Sequence, residues 1–182
     1  MALIIILVVV VVLIAWAIGA YNGLVQARNK VKANWSQIDV VLKRRADLIP
    51  NLVETVKGYA AHEKGTLEAT IAARNKYLSA GSPEEQMQAS GELTQALNRI
   101  MMLGEAYPDL KANTSFNDLQ QNLKETEDKI QYARQFYNDS VYAYNNKRET
   151  FPSSIVAGMF NFKPYEMFAA EAADKEVPKV EF

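Results

Sequence analysis

Residues Leu3 to Ala20, LIIILVVVVVLIAWAIGA, form an apolar run without a single charge. As a helix this run measures about 27 Å, close to the roughly 30 Å hydrocarbon core of a bilayer. Such a run reads as a membrane span or as a cleaved leader. The Ala15-Trp16-Ala17 triplet offers the small-x-small pattern of a cleavage site. Against cleavage, no Lys or Arg precedes the run, and it exceeds the about 7 to 15 residues of a leader's apolar region. Trp16 and Tyr21 mark the C-terminal end of the span, where amphipathic rings favour the headgroup layer. Arg28, Lys30 and Lys32 follow before the first acid, Asp39. By the positive-inside rule the N-terminus is expected outside and the rest of the chain in the cytoplasm, as a single-pass protein.

Beyond the span, Leu24, Val31, Trp35, Ile38, Leu42, Ile49, Leu52, Val56 and Tyr59 recur at alternating steps of three and four, with Arg28 and Arg45 at the two missing steps. This spacing predicts one continuous stripe on a helix that packs in a bundle or coiled coil. Pro50 lies within it. An interior proline costs about 3 kcal/mol in a helix. One rod from Tyr21 to Ser79 would reach roughly 90 Å and leave much of its stripe unpaired, so a chain reversal near Asp47 to Asn51 is the favoured expectation. Leu67, Ile71 and Leu78 extend the helical pattern to the Ser79–Pro83 turn.

Ser82, Pro83 and the Glu84-Glu85 pair then form an explicit helix start, a capping box with proline at the first position. Met87, Leu93, Leu97, Ile100 and Met101 carry that helix to Pro108. A last long helix is expected from Thr114 or Ser115 to about Arg148, striped by Phe116, Leu119, Leu123, Ile130, Ala133, Tyr137, Val141 and Tyr144. From Phe151 onward, five phenylalanines alternate with Pro152, Pro164 and Pro178, which precludes a long helix and calls for an apolar place to lie. The expectation is all-α: a membrane anchor over 1–21, an antiparallel bundle of long helices over 22–150, and an irregular aromatic tail over 151–182 packed on it. The bundle has four helices if the chain reverses at Pro50 and three if it only kinks.

Little in the composition points to catalysis. Twenty Lys and Arg nearly balance 21 Asp and Glu, which disfavours nucleic acid as a partner. The chain has no cysteine and one histidine, His62. HEKGT, His62 to Thr66, opens like a zinc-protease motif but lacks the second histidine. A carboxylate di-iron bundle needs two Glu-x-x-His pairs, which one histidine cannot supply. Glu54, Glu63, Glu68, Glu125 and Glu127 therefore read as solvated or salt-bridged helix residues. No phosphate loop or nucleophile elbow is present. No catalytic, cofactor-binding or metal residue is assigned, and no small-molecule substrate is identified. In Leu42-Lys43-Arg44-Arg45, the stripe position of Arg45 predicts a carboxylate partner, with Lys43 and Arg44 solvated; contact with anionic lipid is the alternative.

Four segments taken together, YNGLVQARNKVKANWSQIDVVLKRRADLIPNLVETVKGYAAHE (21–63), TEDKIQYARQFYNDSVYAYN (126–145), FPSSIVAGMFNF (151–162) and PKVEF (178–182), closely resemble the LemA family of bacterial membrane-anchored proteins. The resemblance covers essentially the whole chain. It implies a transmembrane helix and a helical bundle, and it carries no enzymatic reaction, cofactor or catalytic residue. Relatives are often encoded beside membrane proteins with a TPM domain or beside heat-shock metallopeptidases, which points by association to an envelope complex. The expected role is an interaction module or scaffold at the membrane, with an envelope protein or a second copy as partner and the bilayer contacted through residues 3–20. A lipid-contacting bundle and, more remotely, a carboxylate metal enzyme are the alternatives.

Overall fold

The computed structural model describes residues 1–168. The end of the aromatic tail, with Pro178, Phe182 and the PKVEF segment, lies outside the described residues. Among those described, every regular element is a helix: α1 (Ala2–Lys57), α2 (Lys64–Ser79), α3 (Pro83–Ala106), α4 (Pro108–Lys111), α5 (Thr114–Glu149) and α6 (Ser153–Met159).

The chain does not reverse at Pro50. α1 runs unbroken through it for 56 residues, and the turn comes later, over 58–63. Pro50 has no N–H, so the carbonyl of Ala46, four residues back, loses its helical donor. Arg74 of α2 replaces that donor: its Nε donates to the Ala46 oxygen at 2.9 Å. The proline itself is exposed to solvent. The helix unwinds instead at Gly58, a poor helix former. There Ala60, 1% exposed, plugs the turn, and Tyr59 swings outward so that its hydroxyl accepts from Asn113 Nδ2 at 2.8 Å.

The described residues form two compact units, one from Met1–Ser36 and Gln135–Met167, the other from Gln37–Arg134 with Phe168. The second unit is a four-segment bundle built from the C-terminal part of α1, α2, α3 and the N-terminal part of α5. The bundle reaches four helices by the turn after Lys57 and not by the expected break at Pro50. Its core contains Ile49, Leu52 and Val56 of α1, Leu67 of α2, Leu93, Leu97 and Ile100 of α3, and Phe116 and Leu123 of α5, sealed by Leu110 of α4. Cross-links run antiparallel: Tyr77, near the end of α2, reaches Asp39, while Arg74 reaches Ala46. The expected face of α2 is corrected. Ile71 and Leu78 are exposed, and the buried positions are Leu67, Thr70 and Tyr77. Thr70 can be buried because its hydroxyl donates to the Thr66 carbonyl at 2.9 Å, so no unmet polar group enters the core.

The start of α3 follows its sequence signal. The Ser82 hydroxyl accepts from the Glu85 N–H at 3.2 Å, and Glu85 Oε2 accepts from the Gly81 N–H at 2.7 Å. For α5 the cap is Asn113, whose side chain accepts from the Phe116 N–H at 2.9 Å.

In the first unit, Leu24 and Val31 of α1 are buried together with Tyr137, Val141 and Tyr144 of α5. Asn34 donates to the Phe136 carbonyl at 2.9 Å, and the Trp35 and Tyr137 rings meet edge to face at 5.5 Å. After α6 the chain lies extended along α5. An extended strap has no ladder to satisfy its carbonyls, so α5 side chains do so in turn. Arg148 donates to Phe162 O, Tyr144 to Lys163 O, Asn145 to Tyr165 O and Tyr137 to Glu166 O, all at 2.8 to 3.0 Å.

Candidate functional site

Two places hold the chemistry that this sequence offers. The first lies inside the four-segment bundle. Arg45 continues the α1 stripe, one turn after Leu42 and one before Ile49, so helical periodicity drives a guanidinium into an apolar core. It is 1% exposed, and buried charge needs a full set of acceptors. Its Nη1 donates to Thr94 Oγ1 and to Glu127 Oε2, each at 2.9 Å. Its Nη2 donates to Ser90 O at 3.1 Å and to Ser90 Oγ at 2.7 Å. Ser90 and Thr94 are one turn apart on α3, and the Thr94 hydroxyl also donates back to Ser90 O. The carboxylate pairing expected for Arg45 is therefore present, and Lys43 and Arg44 are exposed.

A cleft of about 280 Å3 adjoins this pair, lined by the apolar Leu97, Met101 and Leu123 and by Thr94, Asn98, Gln120, Lys124 and Glu127. Within it the Glu127 carboxylate is already paired with Arg45. Of the carboxylates considered in the sequence, Glu127 lines it and the other four do not. Glu54 lies 3.9 Å from Lys57, Glu63 accepts from the Tyr107 hydroxyl at 3.1 Å, Glu125 accepts from Gln121, and Glu68 is exposed. Among the described residues no group of three or more His, Asp or Glu side chains gathers as a metal cluster would require. His62 stands exposed in the turn before α2, so HEKGT straddles a loop and a helix start.

Two phenols in this unit are held protonated. Burial, and then the Asp39 carboxylate beside it, push the Tyr77 hydroxyl well above its ordinary range. The hydrogen bond to Glu63 raises Tyr107 as well.

The second place is in the other unit, where α1 leaves its apolar run. Tyr21 packs against Phe160 at 4.8 Å and against Phe162 at 5.7 Å between ring centroids. The Arg28 guanidinium lies over the Phe162 ring at 5.2 Å, a cation–π contact that explains how a second arginine occupies a stripe position. Burial raises the Tyr144 phenol nearby. Sequence reasoning did not find this cluster or the Arg74 contact. The available signal for the first was the choice of arginine at a stripe position, which demands an aromatic face or acceptors on the facing element.

Comparison with known proteins places the chain among others of its kind. The sequence model of the LemA family matches residues 34–182. A magnetosome protein, MamQ 2, of Paramagnetospirillum magneticum is 28% identical across 90% of this chain and 70% of its own length. MamQ of Magnetospirillum gryphiswaldense is 26% identical across 84% of this chain and 66% of its own. Protein LemA of Metamycoplasma hominis is 26% identical across 87% and 73%.

Proposed function

The chain belongs to the LemA family, and from that premise we propose that it is a membrane-anchored, non-catalytic bundle acting as an interaction module or scaffold at the cell envelope. One observation carries the reading. The apolar run Leu3 to Ala20 stays wholly outside the protein core, yet it belongs to the same unbroken helix that supplies the stripe of the bundle. Exposed aliphatic surface is unfavourable by about 25 cal/mol per Å2 in water, which a bilayer relieves. Lys30 and Lys32, both exposed, favour a cytoplasmic bundle and an outside N-terminus in a single-pass inner-membrane arrangement. An active reporter found only outside the cell when fused after Phe182 overturns that orientation.

The non-catalytic reading is supported by how the polar groups are used: the carboxylates are dispersed, and Arg45 is consumed in holding three helices, α1, α3 and α5, together. None of the relatives' names states a reaction. Anchoring raises the effective concentration of a partner in the same membrane, so modest contacts suffice. The partner we propose is an envelope protein or a second copy of the chain. Affinity purification from membranes, comparing the full chain with one lacking residues 1–21, tests this. The full chain is expected to bring down one defined partner, or itself, in constant ratio. If it recovers neither, the module reading is wrong.

A further inference from the structure

The apolar residues of the α6 region divide into two sets. Val156 and Ala157 are buried, while Phe151 (76% exposed), Ile155 (51%), Met159 (77%) and Phe160 (58%) face outward. Ile155 and Met159 are one helical turn apart on α6, with Phe151 just before the helix and Phe160 just after it. Four large side chains on one short stretch make a patch that solvent alone does not explain.

The height of that patch along α1 identifies what covers it. Phe160 touches Tyr21, the residue that follows the apolar run, and the Lys147 amine lies against Gly23. A helix rises about 1.5 Å per residue, so these contacts stand within a few ångströms of the end of the run. The headgroup layer adds roughly 5 to 8 Å beyond the hydrocarbon on each side. A helix face at this level, with the exposed Lys147 amine beside Gly23, has the composition of an interfacial element beside anionic lipid.

We propose that Phe151, Ile155, Met159 and Phe160 form a lipid-contacting face, seated in the interfacial layer of the leaflet from which α1 emerges. The proposal rests on the anchor reading and adds to it a second, non-spanning membrane contact. It also assigns the outward-facing aromatics of the tail a role that packing on α5 does not supply.

The absence of cysteine permits single-site labelling of the full chain. Ile155→Cys and Met159→Cys, each carrying an environment-sensitive fluorophore, are reconstituted in phosphatidylethanolamine–phosphatidylglycerol vesicles with lipids bearing a shallow doxyl quencher. Phe136→Cys is the aqueous control: it is exposed and level with Asn34, about 21 Å beyond the end of the run. Leu13→Cys with a deep quencher reports the span. The labels at 155 and 159 are expected to be quenched by lipid several-fold more than the label at 136, and to be shielded from aqueous iodide. Iodide quenching equal to that at 136 overturns the proposal. Shielding from both quenchers also overturns it, and points to a protein cover or a second copy. If the Leu13→Cys label escapes the deep quencher, the anchor reading fails and this proposal fails with it; a quenched Leu13→Cys label with unquenched 155 and 159 sinks the proposal alone.

Discussion

Arg74 is the residue on which the continuity of α1 turns, and its contribution can be isolated by a double-mutant cycle with Pro50. Removing the guanidinium in Arg74→Met keeps the stem but strips the donor from the Ala46 carbonyl, which sits on a residue with no exposed surface. A buried acceptor left unmet costs about 1 to 3 kcal/mol. In the Pro50→Ala background an amide N–H returns at position 50 and can donate to the same carbonyl, so Arg74→Met should then cost a few tenths of a kcal/mol. The coupling between the two substitutions is thus about 1 to 2 kcal/mol, within the range found for residues sharing one network. For a chain of this size that corresponds to roughly 2 to 8 °C in midpoint. Circular dichroism melts of the four proteins in one detergent supply the cycle. Equal losses for Arg74→Met in both backgrounds would refute the argument, because the arginine would then be stabilising something other than the proline's orphaned carbonyl.

Other perturbations follow from the same geometry. Glu127→Ala should cost about 3 kcal/mol and exceed Arg45→Met in denaturant melts, because it takes a carboxylate away from a guanidinium that cannot return to water, whereas Glu127, 31% exposed, can be solvated when Arg45 is replaced. Gly104→Ala should destabilise by about 1 to 2 kcal/mol despite the helix preference for alanine, since the added Cβ would lie 2.7 Å from the buried Phe116 ring; a higher melting midpoint would mean that the ring yields freely. Tyr77 is held protonated in the fold, so its stabilising term is complete below the unfolded phenol value of about 10 and is lost as pH rises toward the raised folded value. Tyr77→Phe should therefore flatten the alkaline loss of melting temperature, and parallel pH profiles for the two proteins would contradict this.

The parts of the fold written in neighbouring residues were legible, and those that depend on distant partners were not. The α1 stripe is local periodicity: Leu24, Val31, Ile38, Leu42, Arg45, Ile49, Leu52 and Val56 are buried as spaced, and Arg28 and Trp35 are half-buried. The α3 cap is likewise a four-residue signal. Pro50 was misjudged because the compensation for its missing N–H comes from Arg74, on the next helix. In α2, hydrophobicity alone selects Ile71 and Leu78, yet the packed face holds Thr70 and Tyr77, whose hydroxyls find Thr66 and Asp39. The aromatic tail announced a need for apolar surroundings, but only three dimensions separate Phe162, buried beside Arg28, from Phe151 and Phe160, which face outward.

The central claim is that the bundle works by holding a partner at the membrane, and site-specific photocrosslinking in native membranes tests it most directly. Crosslinkers placed one at a time at exposed positions of α2, α3 and α5, in the otherwise intact chain, should give one defined adduct from a contiguous set of positions, and deletion of residues 1–21 should abolish or sharply weaken it. A chain that yields no adduct with another protein or with itself from any exposed position would contradict the account.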